Sequence, residues 1–349
     1  MFQYKRKILL NSELSKRKLP KNFKIEDSIY FNHELLKKFE KVYYYTLRNL
    51  LITGEGSPIN YRRIIIPHFL AFSSLSGQIL FKKIFLILNM FKIFFFHLFK
   101  KKKTKIINYG IVLHDRNSKG FFHWFNDIMP KVALCEKKIF KRYKILIPCN
   151  LNNKFHKECL RRFKNRIVYL NKEENYIIQN AVYIPELSPS GNPRLKSVIN
   201  TRNYFRNYFK KSKKKYLSNR IYISRKKSDR RFITNEDQLV RLLKSMKFKI
   251  YYFEKMSLKK QIKIISNAKT VIAMHGAALV NIIWMKKNSN VIELRPTNDI
   301  FTNCFFSYSN LLNLNYYYLI CKRYNKVGFT KDSDYMVDIE ELKKVLTLI

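Results

Sequence analysis

Three stretches of this chain combine residue types that could do chemistry. In GFFHWFNDIMPK (120–131), His123 and Asp127 are four residues apart, so a helix would place both on one face. An imidazole beside a carboxylate can serve as a general base, or as a base with the partner that orients it. Trp124 between them could stack on a sugar ring. A plainer reading makes Asp127 a helix cap or ion-pair partner and Trp124 a core residue.

The second stretch is AMHGAALVN (273–281). It gathers Gly276, Ala273, Ala277 and Ala278 beside His275, in a chain with 8 glycines and 7 histidines. It lies where the apolar run TVIAM (270–274), a buried strand, gives way to AALVNIIW (277–284), a helix. A helix N-terminus offers free N–H groups and a positive dipole, which suit a phosphate. Gly276 would permit an unusual backbone angle and close ligand approach. Ala277 and Ala278 would keep the first turn clear, and His275 would donate to a phosphate or sugar oxygen. Tight helix–sheet packing explains the small residues equally well.

The third stretch, YISRKKSDRR (222–231), runs basic straight off a strand end. Arg225 could pair bidentately with a diphosphate, or the run could be a solvated loop. DSD, with Asp332 and Asp334, matches a metal-holding DxD. It lies far from the sheet's ligand edge, and a hard cation needs several convergent oxygens, so no metal is expected there.

These stretches need a frame to position them. Residues 1–79 read as short strands and loops, with strand-like runs at 42–54 and 62–72. Residues 80–99 are the longest apolar stretch, with Lys92 near its middle. That favours a helix lying in a membrane surface over a span, with burial in the fold as the alternative. From about 105 strands alternate with helices: strands at 106–113, 143–148, 166–170 and 181–185, with helices at 123–140 and 153–164. Pro130 should interrupt the first of these helices. A lysine-rich run at 210–215 reads as a linker. Beyond it come strands at 220–224, 249–253, 270–274 and 290–294, helices capped by Thr234 and Ser257, and a last helix at 338–348. Alternation at this spacing means α/β units with a parallel sheet.

At 349 residues the chain suits two domains, and 46% hydrophobic residues suffice for ordinary cores. The formal charge of +46 fits either nucleic-acid binding or surface drift toward A/T-rich codons, with some basicity kept for phosphate. Five scattered cysteines, without a CxxC, point to a reducing compartment and against a structural zinc site. The first residues carry no apolar run of signal-peptide length.

Taken in chain order, the stretches resemble glycosyltransferase family 61, whose members include bacterial capsular polysaccharide enzymes. The matching residues are His123, Trp124, Asp127 and Pro130. Tyr222, Ile223, Ser224 and Arg225 follow, then Arg231, Asn235 and Glu236. The run ends in Gln261, Ala268, His275, Gly276, Ala277, Leu279, Asn281 and Glu293. The resemblance implies two facing Rossmann-like domains of GT-B type: an acceptor-side domain over 1–212 and a nucleotide-sugar domain over 213–349, with the last helix packing back on the first. It implies an inverting enzyme that moves a sugar from a nucleotide-sugar to a saccharide or lipid-linked saccharide. Asp127 or His123 would be the base and Trp124 the acceptor-side residue. Ser224, Arg225, Arg231, His275, Gly276, Ala277, Asn281 and Glu293 would hold the donor. No cofactor or metal is implied. The expected setting is cytoplasmic, peripheral at an anionic membrane surface, with no specific nucleic acid as partner. A basic nucleic-acid binder and a non-catalytic sugar-nucleotide binder are the alternatives.

Overall fold

The structure, a computed structural model, describes residues 5–56, 58–59, 102–115, 117–209, 219–228, 230–324 and 333–349. The runs 62–72, 80–99 and 210–215, and Asp332, lie outside the described residues. The chain forms two compact units, Met1–Glu13 with Phe39–Ser190, and Leu14–Lys38 with Gly191–Ile349.

The first unit is built on a mixed sheet. Its strands are β1 (Lys5–Leu10), then, past the two-stranded ribbon β2 (Glu13–Lys16) and β3 (Leu36–Phe39), β4 (Val42–Thr53), β5 (Pro58–Ile59), β6 (Lys103–Val112), β7 (Lys144–Ile147), β8 (Ile167–Tyr169) and β9 (Glu174–Tyr183). They lie in the order β1-β4-β9-β6-β7-β8, with β5 beside β4. The pairs β9–β6, β6–β7 and β7–β8 are parallel, as the alternation predicts. The pairs β1–β4, β4–β9 and β4–β5 are antiparallel, so this sheet is not a purely parallel Rossmann-like one. β4 and β5 follow each other directly in the chain, and antiparallel pairing needs no crossover helix. Leu50, Ile52, Val112, Leu146 and Ile178 close the core on one side of the sheet. Helix α1 (Lys154–Leu160) connects β7 to β8.

After β6 the chain enters a helical segment: Phe121–His123 is α, Trp124–Ile128 is π, and Met129–Leu134 is α again. The expected interruption at Pro130 is therefore a widened turn just upstream. Met129 N–H reaches back to Trp124 O, five residues away. Pro130 has no N–H to donate and its ring would crowd the carbonyl four residues back. Adding one residue to the preceding turn relieves both problems, and such turns often mark functional positions.

The second unit carries α2 (Leu195–Phe209), β10 (Arg220–Ile223), α3 (Glu236–Ser245), β11 (Lys249–Tyr251), α4 (Leu258–Ile265), β12 (Thr270–Met274), β13 (Asn290–Pro296), α5 (Cys304–Leu311), β14 (Asn315–Arg323), β15 (Tyr335–Met336) and α6 (Ile339–Leu346). The sheet order is β11-β10-β12-β13-β14-β15, parallel throughout except for β15. The order reverses between β10 and β12. In open α/β sheets that reversal opens a crevice at the strands' carboxyl ends, where ligands bind.

The sequence reading divides the chain at 212/213, on its lysine-rich run. Compactness divides it at 190/191, because α2 packs within the second unit. Phe205 meets Trp284 edge-on at 5.2 Å, and the Arg202 guanidinium donates to Met285 O at 3.1 Å. Residues 14–38 join this unit too. Lys21 N–H donates to Tyr316 O, and the Asn22 side chain pairs with both backbone groups of Tyr318. They cover part of the β14 edge that β15 leaves open, which protects an otherwise bare edge strand. Helix α6 sets Leu342, Val345 and Leu346 into the core of this same unit, with Tyr222, Ile272, Ile292 and Tyr317.

Ser257 caps α4 as expected, accepting from Lys260 N–H. Thr234 does not cap α3. The residue before that helix is Asn235, whose side chain instead makes two hydrogen bonds to the backbone of Val337. That tie fixes the helix start to the strand-to-helix link after β15, which local sequence cannot show.

Candidate active site

The π turn places Asp127 under His123. His123 Nδ1 and Asp127 Oδ2 are 2.8 Å apart. Ser190 Oγ donates to the same carboxylate oxygen at 3.3 Å, and Asn126 Nδ2 donates to the other. Asp127 is buried, whereas about a third of the His123 side chain is exposed (34%), so the imidazole is the group a substrate can reach. Burial alone would lower the His123 pKa. The hydrogen bond and charge of Asp127, helped by Asp115 and Glu186, outweigh it and raise it above its ordinary value. With the carboxylate accepting Nδ1–H, Nε2 is the nitrogen left to take a proton.

Trp124, expected on the acceptor side, has no exposed surface. Its ring packs against His156, centroids 4.4 Å apart, and against Phe155. It is a core residue here and has no open face for a sugar. Trp124→Ala should cost about 3–5 kcal/mol of stability, the usual range for a large aromatic truncated in a core. Chemical denaturation measures this, and an unchanged midpoint with altered acceptor KM would restore the stacking role.

In the second unit, β10 and β12 end side by side, with Ile223 opposite Ala273. Ser224 and Arg225 continue one strand, and His275 and Gly276 the other. The Arg225 side chain is buried, donates to Arg230 O through Nη2 at 2.8 Å, and lies over Gly276. A Cβ on Gly276 would stand 2.4 Å from Arg225 Nη1. The Gly276 φ of 169° is extended backbone open to any residue, so the expected need for an unusual angle is replaced by a need for space. Burial, followed by repulsion from Arg231 and partly offset by Glu254, pulls the Arg225 pKa down to about 10. The group stays cationic near neutrality, yet its charge is poorly solvated, and a bound anion would relieve that. Arg231 takes a left-handed φ of 59° and donates from Nη1 to His275 O at 3.0 Å, which brings a second guanidinium to the same strand ends.

His275 Nδ1 is hydrogen-bonded to Glu293 Oε1, and its ring rests near Phe305. Glu293 is fully buried, so it cannot touch a donor as expected; it holds His275 from behind. Burial pushes the carboxyl pKa up, but Arg295, His275 and Tyr316 reverse that, and the net shift is downward. Arg295 and Tyr316 carried no sequence motif. A charged residue two places after Glu293 inside a buried strand was the available hint.

Two further expectations change. Ser224 is buried, and its Oγ accepts from Lys226 N–H, so it shapes the turn after β10. Asn281 is buried: Nδ2 donates to Gln261 Oε1 and Ala278 O, and Oδ1 accepts from Trp284 Nε1. It ties the 277–284 helix to α4. That helix is 3-10, not α, and Ala277, at its first turn, is partly exposed. Among the described residues no group of three His, Cys, Asp or Glu gathers to hold a metal, and Asp334 accepts from Phe232 N–H. All five cysteines are free thiols, four of them buried.

Residues 121–292 match the family model Glycosyltransferase 61. A stretch of 147 residues is 26% identical to an EGF domain-specific O-linked N-acetylglucosamine transferase of Gallus gallus. That stretch covers 37% of this chain and 26% of the relative, so the chain spans about a quarter of that protein's length. Both matches are similarities to glycosyltransferases, and the family match runs from just before the His123–Asp127 pair to just past the His275 turn.

Proposed function

We propose that the protein is an inverting glycosyltransferase of GT-B type, which moves a sugar from a nucleotide-sugar to a hydroxyl of a growing surface or capsular polysaccharide or glycolipid. The observation that carries this is the His275–Gly276 turn under the Arg225 guanidinium, at the sheet's reversal point. A poorly solvated guanidinium over a site where no Cβ fits suits a diphosphate. In the first unit, His123 Nε2 takes the proton of the acceptor hydroxyl while Asp127 holds Nδ1–H and stabilises the imidazolium that forms. The acceptor oxygen attacks the anomeric carbon and the bond to the diphosphate breaks. Arg225, Arg231 and His275 receive the leaving charge. Ala277 at the first turn keeps that approach open, and fixed cations supply what a metal would.

A bacterial, cytoplasmic setting at an anionic membrane face belongs to the same proposal. It rests on the charge of +46 and on the composition of residues 80–99.

A thermal-shift screen of the full chain against nucleoside diphosphates and their sugars tests the reading. At least one nucleoside diphosphate should stabilise the protein, by roughly 2.7 kcal/mol at a hundred times its dissociation constant. No stabilisation by any of them, together with salt-dependent binding of RNA or DNA, would install the nucleic-acid reading instead. Nucleotide binding without turnover would favour a non-catalytic binder.

The raised His123 pKa gives a pH dependence. The base works unprotonated, so transfer should rise with pH through a midpoint above 6.5, the ordinary value. The stability sign is opposite. A raised folded value means the His123–Asp127 contribution is complete below about 6.5 and is lost as pH climbs through the folded value. A kcat/KM profile across pH 5–9 with a midpoint below 6.5 would rule this out.

A further inference from the structure

Behind His275 lies a fully buried polar group of three. Tyr316 Oη donates to Glu293 Oε2 at 2.5 Å, and Arg295 Nη1 stands 3.7 Å from that same oxygen. Arg295 Nη1 also donates to the Tyr316 hydroxyl at 3.3 Å. Glu293 Oε2 is thus committed to Arg295 and Tyr316, which leaves Oε1 for His275 Nδ1. The guanidinium is itself held in place. Nη2 donates to Asp299 O at 3.0 Å and Thr302 O at 3.4 Å, in the loop that follows β13. Tyr30 and Phe31 lie under its charge, 5.7 and 5.3 Å from the ring centroids. These two come from the 14–38 excursion, which gives that segment a reason to be built into this unit.

We propose that Arg295 and Tyr316 are positioning residues for His275. They fix the Glu293 carboxylate so that it demands Nδ1–H and leaves Nε2 as the ring edge turned toward the departing diphosphate. The inference rests on the donor-site reading above. An unrestrained imidazole divides its proton between two nitrogens, and a carboxylate at one of them selects the tautomer. With Nδ1–H spoken for, a second proton on the ring goes to Nε2, where it donates to a diphosphate oxygen. Arg295 also holds the 299–302 loop, so one guanidinium sets both the histidine and the loop beside the β13 end.

The test uses the full chain, labelled with 15N. Imidazole 15N shifts report the tautomer of each histidine, and His275→Gln assigns the resonance. Uridine and guanosine diphosphates are the binding probes. Wild type should show His275 as a single Nδ1–H tautomer. Tyr316→Phe, which keeps the ring packed on Phe31 and Phe306, should give a mixture of tautomers and weaken diphosphate binding about tenfold. Glu293→Gln should do the same. Tyr318→Phe, on the same strand but bonded to Asp27, should leave both readouts as in wild type. A single Nδ1–H tautomer with unchanged affinity in both Tyr316→Phe and Glu293→Gln would overturn the proposal. If the tautomer responds as described but neither diphosphate binds wild type, the donor-site reading falls, and with it the role assigned to Nε2.

Discussion

Asp127→Asn should lower sugar transfer by about 10²–10⁴-fold while leaving the fold and nucleoside diphosphate affinity in place. The size follows from what the substitution does to His123. The carboxylate accepts Nδ1–H and leaves Nε2 bare. An amide in its place can turn its NH2 toward Nδ1, and the proton then sits on Nε2, where it blocks the base. The amide keeps the shape of the carboxylate, and Ser190 and Asn126 keep a partner oxygen between them. His123→Gln should cost a similar factor, because the two residues act as one unit and their losses do not add. Single-turnover rates with saturating donor separate this from binding. A loss of less than tenfold in both variants would move the base elsewhere. A loss in Asp127→Asn alone would make Asp127 itself the proton acceptor.

The pair was legible before any fold was known, because i, i+4 spacing on a helix is a local rule. Which of the two is buried was not. That depends on Asp127 being covered by Asn126 and Ser190, and Ser190 is 63 residues away in the chain. Trp124 shows the converse. An aromatic beside a catalytic-looking pair resembles a sugar platform in sequence, but His156 and Phe155 from α1 seal its ring inside the unit. The second unit was the easier half to anticipate. Strands such as 270–274 are buried at every position, and their length and spacing imply parallel pairing. The antiparallel part of the first sheet was not, because β4 pairs with β9 from more than 120 residues away and nothing local specifies that partner. The division between units escaped for a related reason. Residues 14–38 join the second unit through tertiary hydrogen bonds to Tyr316 and Tyr318, and composition does not register those.

The clearest change concerns Gly276, and it leads to the second large effect. Small residues around His275 had two readings, room for a ligand or room for packing. The structure gives a third form of the first: the room is taken by Arg225 Nη1. Gly276→Ala would push the end of a long side chain, so the fold should survive with a modest loss. The guanidinium would leave the site where β10 and β12 end, however. An arginine's hydrogen bonds to an anion are worth about 1.5–3 kcal/mol, so diphosphate affinity should fall about 10- to 100-fold. Arg225→Lys should fall in the same range, since an ammonium cannot reproduce the fork or keep the contact with Arg230 O. Calorimetric titration of both variants with the nucleoside diphosphate selected by the screen checks this. If the small residues serve packing, the order reverses: Gly276→Ala loses stability and keeps its affinity, and Arg225→Lys changes neither.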